Sequence, residues 1–472
     1  MAQPLPRPLV FHGPVIHSLS PTVLESVPSA LLVVDTTGHI IFFSKDSPTL
    51  PDPIILPNDG NNNNDKALAL SDCTVHRLAP ASPSQPPTRF LIPGFVDTHN
   101  HAPQWAQRGL GQGLHILDWL ERITFPNEAR FADPAYARRI YTACVAGFLR
   151  QGITTASYYG SAHGPATAVL ADICVQQGQR ALVGKCNMDR NAPDYYRDAS
   201  AEESLATTEQ CIAHIRALDP NGELVQPVLT PRFAITCTPA LLQGLGDIAA
   251  REPHMAVQTH FNEAKQEMDA TRALFPHFGG SEAALYSHYG LLTPRTILAH
   301  CCFMDERELD AVGTAGCGVA HCPISNMTVG GGFMAAPVRQ FLHRGWQKVG
   351  LGTDSGGGFS SSMLDAMRQA LVAGHAREVM TEGKDKGLRL EEVFYMATLG
   401  GARVCSLGDK VGCFEVGKEF DACVVESGWN REQQVMAMVE EEDSLATVFE
   451  KFIMTGDDRN IRRVFVRGRQ VK

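Results

Sequence analysis

Hydrophobic and polar positions follow two different patterns along the chain, and the pattern changes near residue 91. The first ninety residues carry short runs of β-branched and aromatic residues, and a polar turn separates the runs at 30–34 and 40–43. Two such runs on either side of a turn predict a β-hairpin. The Asn-rich segment 57–66 and the Pro- and Ser-rich segment 80–87 predict surface loops.

Beyond this point, short apolar runs alternate with segments of helical character. Asp133 before Pro134, and Ser200 followed by Glu203, predict the starts of two helices, and Thr238 predicts a third. The apolar runs predict eight strands, over 91–97, 153–158, 181–188, 223–230, 255–260, 295–300, 318–322 and 348–354. Eight strand–helix units over about 300 residues favour a (β/α)₈ TIM barrel. An open doubly wound sheet is the main alternative, but no Gly-x-Gly-x-x-Gly follows the first strand.

The β signals return after about residue 405, in the runs 420–425 and 464–466. We therefore expect an α/β protein in which both ends of the chain pair into one small composite β-sandwich domain beside the barrel. The predicted parts are 1–90 for the N-terminal part of that domain, 91–404 for the barrel and 405–472 for the C-terminal part.

Composition and charge exclude several classes of protein. The 472 residues include 41 Lys and Arg against 51 Asp and Glu, a net charge of −10, which argues against nucleic acid as a partner. No stretch approaches the roughly 18 consecutive apolar residues of a membrane span, so we expect no membrane partner. The 13 cysteines are scattered, odd in number and without a Cys-x-x-Cys pair, which predicts reduced thiols in a cytoplasmic protein.

Potential metal ligands stand at the ends of several predicted strands. His99 and His101 close strand one, and positions i and i+2 of an extended chain face the same side. His260 ends strand five, His300 ends strand six and Asp354 ends strand eight. The C-terminal ends of barrel strands build the active site. Three imidazoles and a carboxylate suit Zn²⁺, with iron as the alternative, and the absence of a lysine at the end of strand four favours one ion.

Four further side chains are candidates for catalysis and substrate binding. Glu263 follows His260 by three residues, so a turn into a helix would bring its carboxylate over the metal to move protons. The alternative is a glutamate that only stabilises a helix N-terminus. Gln104 and Arg232 offer the donors and acceptors that a planar heterocycle needs, and Phe233 could stack on its face. A surface arginine and a core phenylalanine are the alternatives.

As a set, these motifs resemble the amidohydrolase superfamily and, within it, the guanine deaminase family. The matching stretches are PGFVDTHNHAPQ from Pro93, ITFPNEARF from Ile123, LTPRF from Leu229, THFNE from Thr259, LAHCC from Leu298, AHCPISN from Ala320, LGTD from Leu351, ATLGGA from Ala397, EVGKEFDA from Glu415 and GDDRNI from Gly456. The likeness runs from about residue 90 to the C-terminus. Asn100 and Ser355 depart from the family pattern, but neither is a proposed ligand.

The resemblance implies a hydrolase of purine catabolism and salvage that deaminates guanine to xanthine and ammonia. It implies one Zn²⁺ per chain, with Fe²⁺ as the alternative, and a homodimer. The implied roles are metal binding for His99, His101, His260 and Asp354, catalysis for Glu263, His300 and Asp354, and substrate binding for Gln104, Arg232, Phe233 and His260.

Two other functions stay open at this stage. One is deamination of another aminated heterocycle, such as a pterin, an oxidised guanine or a triazine. The other is a barrel that binds partners as a scaffold without catalysis. A scaffold usually loses metal ligands, whereas every ligand position here is filled.

Overall fold

A computed structural model of the protein describes residues 4–57, 66–78, 86–329, 335–428 and 438–472. The loops predicted over 57–66 and 80–87 lie largely outside these described residues. The strands in the described residues are β1 (Leu9–Ser20), β2 (Val23–Val34), β3 (Ile40–Ser44), β4 (Ile54–Leu56), β5 (Lys66–Leu68), β6 (Thr74–Arg77), β7 (Arg89–Pro93), β8 (Phe95–His101), β9 (Ile153–Tyr159), β10 (Arg180–Gly184), β11 (Cys186–Asn187), β12 (Val225–Pro231), β13 (Ala256–Phe261), β14 (Thr296–His300), β15 (Gly318–His321), β16 (Val349–Leu351), β17 (Ala422–Glu426), β18 (Ile461–Val466) and β19 (Arg469–Gln470).

Helices separate the strands of the central region and flank the C-terminal strands. They are α1 (Ile116–Trp119), α2 (Phe125–Ala129), α3 (Pro134–Arg150), α4 (Gly164–Gln177), α5 (Ala201–Leu218), α6 (Pro239–Arg251), α7 (Lys265–Leu274), α8 (Glu282–His288), α9 (Glu306–Ala315), α10 (Pro323–Thr328), α11 (Val338–His343), α12 (Met363–Met380), α13 (Leu390–Ala397), α14 (Leu399–Val404) and α15 (Leu445–Thr455). None of these helices, within the part of the chain that the structure describes, has the length and apolar character to cross a bilayer.

The central strands form the predicted barrel. They pair in parallel in the order β16-β15-β14-β13-β12-β10-β9-β8, and the short β11 continues β10 along β12. Hydrogen bonds join the first barrel strand, β8, to the last, β16. The Thr98 hydroxyl donates to the Leu351 carbonyl at 2.8 Å. The Asp354 amide likewise donates to the His99 carbonyl at 2.9 Å. The TIM-barrel fold predicted from the alternating pattern is therefore confirmed.

Both ends of the chain contribute to one sheet beside the barrel. Its order is β19-β18-β17-β7-β1-β2-β3, with β6 paired to β1, so C-terminal strands lie directly beside N-terminal ones. The predicted hairpin is confirmed as β2 and β3, which pair antiparallel. A two-stranded sheet, β4 with β5, accompanies it, and Ile54 and Leu56 pack with Val10 and Val33 of the larger sheet. The composite β architecture is thus built from both termini.

The strand predicted over 91–97 is wrong, because this apolar run contains two strands of different sheets. Residues up to Pro93 pair with β17 in the composite sheet, and the barrel strand begins only at Phe95. The chain changes sheets at Gly94, where a Cβ atom would come within 2.2 Å of the Thr154 hydroxyl. The barrel strand consequently continues to His101 and carries both histidines within it.

Side-chain caps start the helices where the sequence predicts them. Asp133 accepts from the Ala135 amide, and Ser200 accepts from the Glu203 amide. Thr238 caps the helix after strand β12 in the same way. Each cap satisfies an amide that has no partner within the helix, so these three boundaries are fixed locally.

Candidate active site

Buried histidines gather at the C-terminal ends of three barrel strands. His99 and His101 lie on the same side of β8, His260 comes from β13 and His300 is the last residue of β14. The centre of the His99 ring lies 5.0 Å from that of the His260 ring and 5.2 Å from that of the His300 ring. Asp354 follows β16 and is also buried. The structure therefore brings together the five residues that the strand-end pattern singled out.

One oxygen and three ring nitrogens converge on a single point. The Asp354 Oδ1 atom lies 3.3 Å from Nε2 of His99 and 3.6 Å from Nε2 of His101. The Nε2 atoms of His101 and His260 are 3.1 Å apart. His260 also binds the Arg232 carbonyl through Nδ1 at 2.6 Å, which directs its other nitrogen toward the group.

This donor set fits a metal ion. Both ring nitrogens of His99 are buried without a hydrogen-bond partner among the described residues, and such atoms are costly unless a ligand satisfies them. Donors that hold one ion tetrahedrally at about 2.1 Å lie about 3.4 Å apart, close to the separations observed here. His99, His101, His260 and Asp354 are therefore positioned to hold an ion, whereas His300 stands beside the group.

The backbone is strained at these strand ends. His300 has a φ of 76°, Asp354 a φ of 44° and Asn262 a φ of 46°, in the left-handed region that residues with side chains rarely adopt. Such conformations persist where the surrounding structure enforces them, and they concentrate at functional sites.

Glu263 and His300 face one another beside the ligand group. The Glu263 Oε2 atom lies 3.7 Å from the His300 Nε2 atom. The other nitrogen of His300, Nδ1, lies 2.8 Å from the Asn326 Oδ1 atom, which holds the ring in place. The helix α7 begins at Lys265, so Glu263 precedes it and is not a residue of its first turn. The alternative, a glutamate that only stabilises a helix N-terminus, is thereby disfavoured.

Burial shifts the acid–base properties of these groups in opposite directions. It raises the pKa of Glu263 well above the ordinary value, and the nearby Asp354 charge adds to that effect. Burial also lowers the pKa of His101 and of His260 well below the ordinary value. Burial opposes the charge of Asp354, but its close contact with His99 and the neighbouring imidazole rings bring its pKa well below normal. The pKa values of the two carboxyl groups are thus shifted apart, toward the protonated form for Glu263 and toward the ionised form for Asp354.

A cavity with about 390 Å³ of empty space, part of it open to solvent, lies in front of the ligand group. The residues proposed for substrate binding lie in its wall with Glu263 and Asp354 and with apolar side chains of the segment before α2, whereas His300 is not among the lining residues. The lining consists of His101, Gln104, Ile116, Trp119, Leu120, Arg232, Phe233, His260, Glu263, Val329, Asp354 and Gly357. Ligand sites typically combine such an apolar wall with a few polar groups.

The structure adds a residue that the sequence argument missed. Glu128 is fully buried and pairs with Arg232, with 2.8 Å between Nη1 and Oε2. Gln104 donates from Nε2 to the other oxygen of the same carboxylate at 2.7 Å. The buried arginine implied a carboxylate partner, since a buried charge is costly unless paired. Glu128 lies within the stretch from Ile123 that carries the family resemblance, which is the one signal that could have pointed to it.

A second residue that the sequence argument missed, Asp97, holds strand β8 in place through hydrogen bonds. Asp97 accepts from both the amide and the hydroxyl of Thr353, at 2.9 and 2.6 Å. Burial raises the pKa of Asp97 to about 7. These bonds tie β8 to the segment that carries Asp354, so Asp97 fixes two ligand-bearing segments relative to one another.

Comparison with known proteins gives one consistent result along the whole chain. Residues 90–471 match the amidohydrolase family. A probable guanine deaminase of Schizosaccharomyces pombe is 39% identical over 462 residues, which cover 98% of this chain and 83% of that one. The guanine deaminase of Homo sapiens is 35% identical, covering 100% and 98% of the two chains. A solved guanine deaminase from C. acetobutylicum, with guanine bound in its active site, superposes with a TM-score of 0.84 at 29% identity, covering 98% and 99%.

Proposed function

The chain belongs to the amidohydrolase family, and we propose that it catalyses the hydrolytic deamination of guanine to xanthine and ammonia. One observation carries the proposal. A single cavity is lined by three of the proposed metal ligands, by the buried side chain of Glu263, and by side chains suited to a purine. The similarity to guanine deaminases extends over the same full length, which favours guanine over pterins and triazines.

We propose that His99, His101, His260 and Asp354 hold one Zn²⁺ ion, with Fe²⁺ as the alternative. Nitrogen donors with one carboxylate form a set that Zn²⁺ prefers, and the family is metal-dependent. When bound, the metal lowers the pKa of water at the site and so supplies hydroxide near neutral pH. The intact donor set also argues against a scaffold without catalysis.

The cavity wall would bind the purine by shape and by hydrogen bonds. Arg232 offers guanidinium donors to the ring carbonyl, and Gln104 offers an amide beside it. Phe233 lies 5.9 Å from the His260 ring, between centres, where it can stack against the heterocycle. His260 borders the cavity as well, so it contacts substrate and metal alike. Bound in this way, the purine is held near the carboxyl groups of Glu263 and Asp354.

The proton transfers follow from the opposite pKa shifts of the Asp354 and Glu263 carboxyl groups. Asp354, ionised, accepts a proton from water as the C2–O bond forms. Glu263, whose pKa burial raises, donates a proton to ring N3, where charge builds during the attack. His300 contacts the attacking water or the new oxygen through Nε2, the atom that faces Glu263. Asp354 then passes the proton it took from water to the amine, the C2–N bond breaks, and ammonia leaves as the C2–OH proton returns to Glu263 and the C2 carbonyl of xanthine forms.

We also propose a cytoplasmic homodimer as the working form. The thirteen cysteines are all buried and free, which suits a reducing compartment. The dimer follows from the family resemblance. Light scattering of the purified protein tests it, and a monomer at micromolar concentration would contradict it.

Ammonia release from purified, metal-quantified protein tests the function directly. Guanine, adenine, cytosine and a pterin are compared under the same conditions. Rapid release from guanine alone, abolished by a chelator and restored by Zn²⁺, is the expected result. If the protein with its metal bound released no ammonia from guanine, guanine would be excluded as the substrate. Only the assignment to a hydrolytic barrel would remain.

A further inference from the structure

The Glu128 carboxylate is the centre of a hydrogen-bonded network beside the substrate cavity. Its Oε2 atom accepts from Nη1 of Arg232 at 2.8 Å and from the Tyr196 hydroxyl at 2.6 Å. Its Oε1 atom accepts from Nε2 of Gln104 at 2.7 Å and from Nη2 of Arg232 at 3.3 Å. A carboxylate has about four acceptor positions, and all are used. Glu128 therefore acts on a substrate only through its neighbours.

The contact with Glu128 determines which end of the Gln104 amide remains available. A carboxylate paired with arginine can only accept hydrogen bonds, so the amide must turn its NH₂ group toward it. The Gln104 Oε1 atom is left buried, without a partner among the described residues. Gly356 lies against this oxygen, and a Cβ atom there would come within 2.0 Å of it. Gln104 is thus held as a hydrogen-bond acceptor.

The same carboxylate orients the guanidinium group. Two of the five N–H donors of Arg232 are directed to Glu128, and Nη1 also lies 3.9 Å from the sulfur atoms of Cys186 and Met188. The Nε donor and the second Nη2 donor remain for the cavity. This wall therefore combines an acceptor at Gln104 with donors at Arg232. Guanine offers the matching pattern, because its N1–H donates next to a C6 carbonyl that accepts.

We propose that Glu128 is a positioning residue that sets the hydrogen-bond polarity of the pocket and thereby selects a 6-oxo purine over a 6-amino purine. The inference rests on the proposed function. In 2,6-diaminopurine, N1 accepts and the C6 amine donates, so its pattern is inverted although its shape and its C2 amine match guanine. The orientation that Glu128 imposes opposes this base at both positions.

Glu128→Gln tests the proposal with minimal change in volume. The new amide can donate as well as accept, so Gln104 is free to turn its NH₂ group into the cavity. We expect the ratio of kcat/KM for guanine to that for 2,6-diaminopurine to fall by at least about tenfold, mainly through KM, as for a buried group that loses its partner. Metal content and the melting temperature report that the site and fold are intact.

Tyr196→Phe is the matched control. It removes one hydrogen bond from the same carboxylate but leaves the contacts to Gln104 and Arg232, so the substrate ratio should stay within about twofold of the wild-type value. The double variant Glu128→Gln/Gln104→Glu exchanges the two groups and again makes position 104 an acceptor. We expect it to recover preference for guanine relative to Glu128→Gln.

The outcomes separate this inference from the proposed function. A wild-type protein that releases no ammonia from guanine overturns both. If the wild type is active, and folded Glu128→Gln keeps the wild-type ratio of kcat/KM for guanine to that for 2,6-diaminopurine, then only the role of Glu128 is overturned. The same conclusion follows if the double variant folds and shows no preference for guanine.

Discussion

The Nε2 atoms of His101 and His260 lie 3.1 Å apart, and the Asp354 Oδ1 atom lies 3.6 Å from the first of them. His260 uses its Nδ1 atom at the Arg232 carbonyl, so that nitrogen carries the proton and Nε2 presents a lone pair. Burial keeps both rings neutral by lowering their pKa values. In the tautomer that carries its proton on Nδ1, His101 presents a second lone pair, and a cation between the two nitrogens would satisfy both. The apposition therefore links metal binding to the stability of the barrel mouth.

Removal of the metal should destabilise the folded protein as well as inactivate it. We expect a chelator to lower the melting temperature by roughly 5–10 °C, because an ion that binds only the folded state stabilises it by mass action. Differential scanning fluorimetry with and without added Zn²⁺ measures the effect. The variant His99→Asn, which lacks a donor, should melt low and show no response to the chelator. An unchanged melting temperature in wild type would contradict the metal assignment.

Glu263→Gln should separate proton transfer from binding. The amide keeps the volume of the buried side chain but cannot release a proton, so kcat for guanine should fall by about 10²–10⁴-fold. Metal content and KM should change little. Steady-state kinetics with metal analysis checks this. A variant with wild-type turnover would show that Glu263 is not the proton donor, whatever its burial.

Arg232→Ala should weaken purine binding and also destabilise the fold. The substitution leaves the Glu128 carboxylate buried without its charge partner, which costs about 3–5 kcal/mol. We expect a large rise in KM for guanine and no loss of metal. The double variant Arg232→Ala/Glu128→Gln should recover much of the stability without recovering affinity. Urea unfolding measures the loss of stability, and steady-state kinetics measures the loss of affinity for guanine. If metal content fell as much as affinity for guanine, Arg232 would instead be a residue that supports the metal site.

Much of this architecture follows from local patterns. The alternation of strands and helices predicts the barrel because each βα unit buries one apolar strand, and the strand ends then determine which side chains meet. Asp133, Ser200 and Thr238 cap helices through contacts within a few residues, so their sequence neighbourhood is sufficient.

The parts that the sequence did not predict depend on contacts between distant segments. The run through Gly94 is apolar on both sides, and hydrophobicity does not indicate where a chain passes from one sheet to another. Glu128 resembles any glutamate in the first turn of a helix, and only the buried Arg232, 104 residues away, requires it. The register that brings the two together is a property of the folded barrel.

His76 makes the composite sheet sensitive to acid. The ring stacks on Phe11 with 4.5 Å between centres, and its Nδ1 atom lies 2.7 Å from Nη1 of Arg463. Burial, and then the Arg463 charge, lower the pKa of His76 to about 4 from 6.5. The folded state thus favours the neutral ring. This contribution is complete above pH 6.5 and is lost as the pH falls from 6.5 through 4, because the unfolded chain takes up the proton first.

His76→Gln should remove this dependence. The variant loses ring packing and melts below wild type at pH 7, but the gap between the two should narrow as the pH falls from 6.5 to 4. Arg463→Gln, which keeps the ring and removes the opposing charge, should show an intermediate slope. Melting temperatures across this range measure both. If wild type and His76→Gln give parallel curves, then other groups determine the acid sensitivity of the sheet.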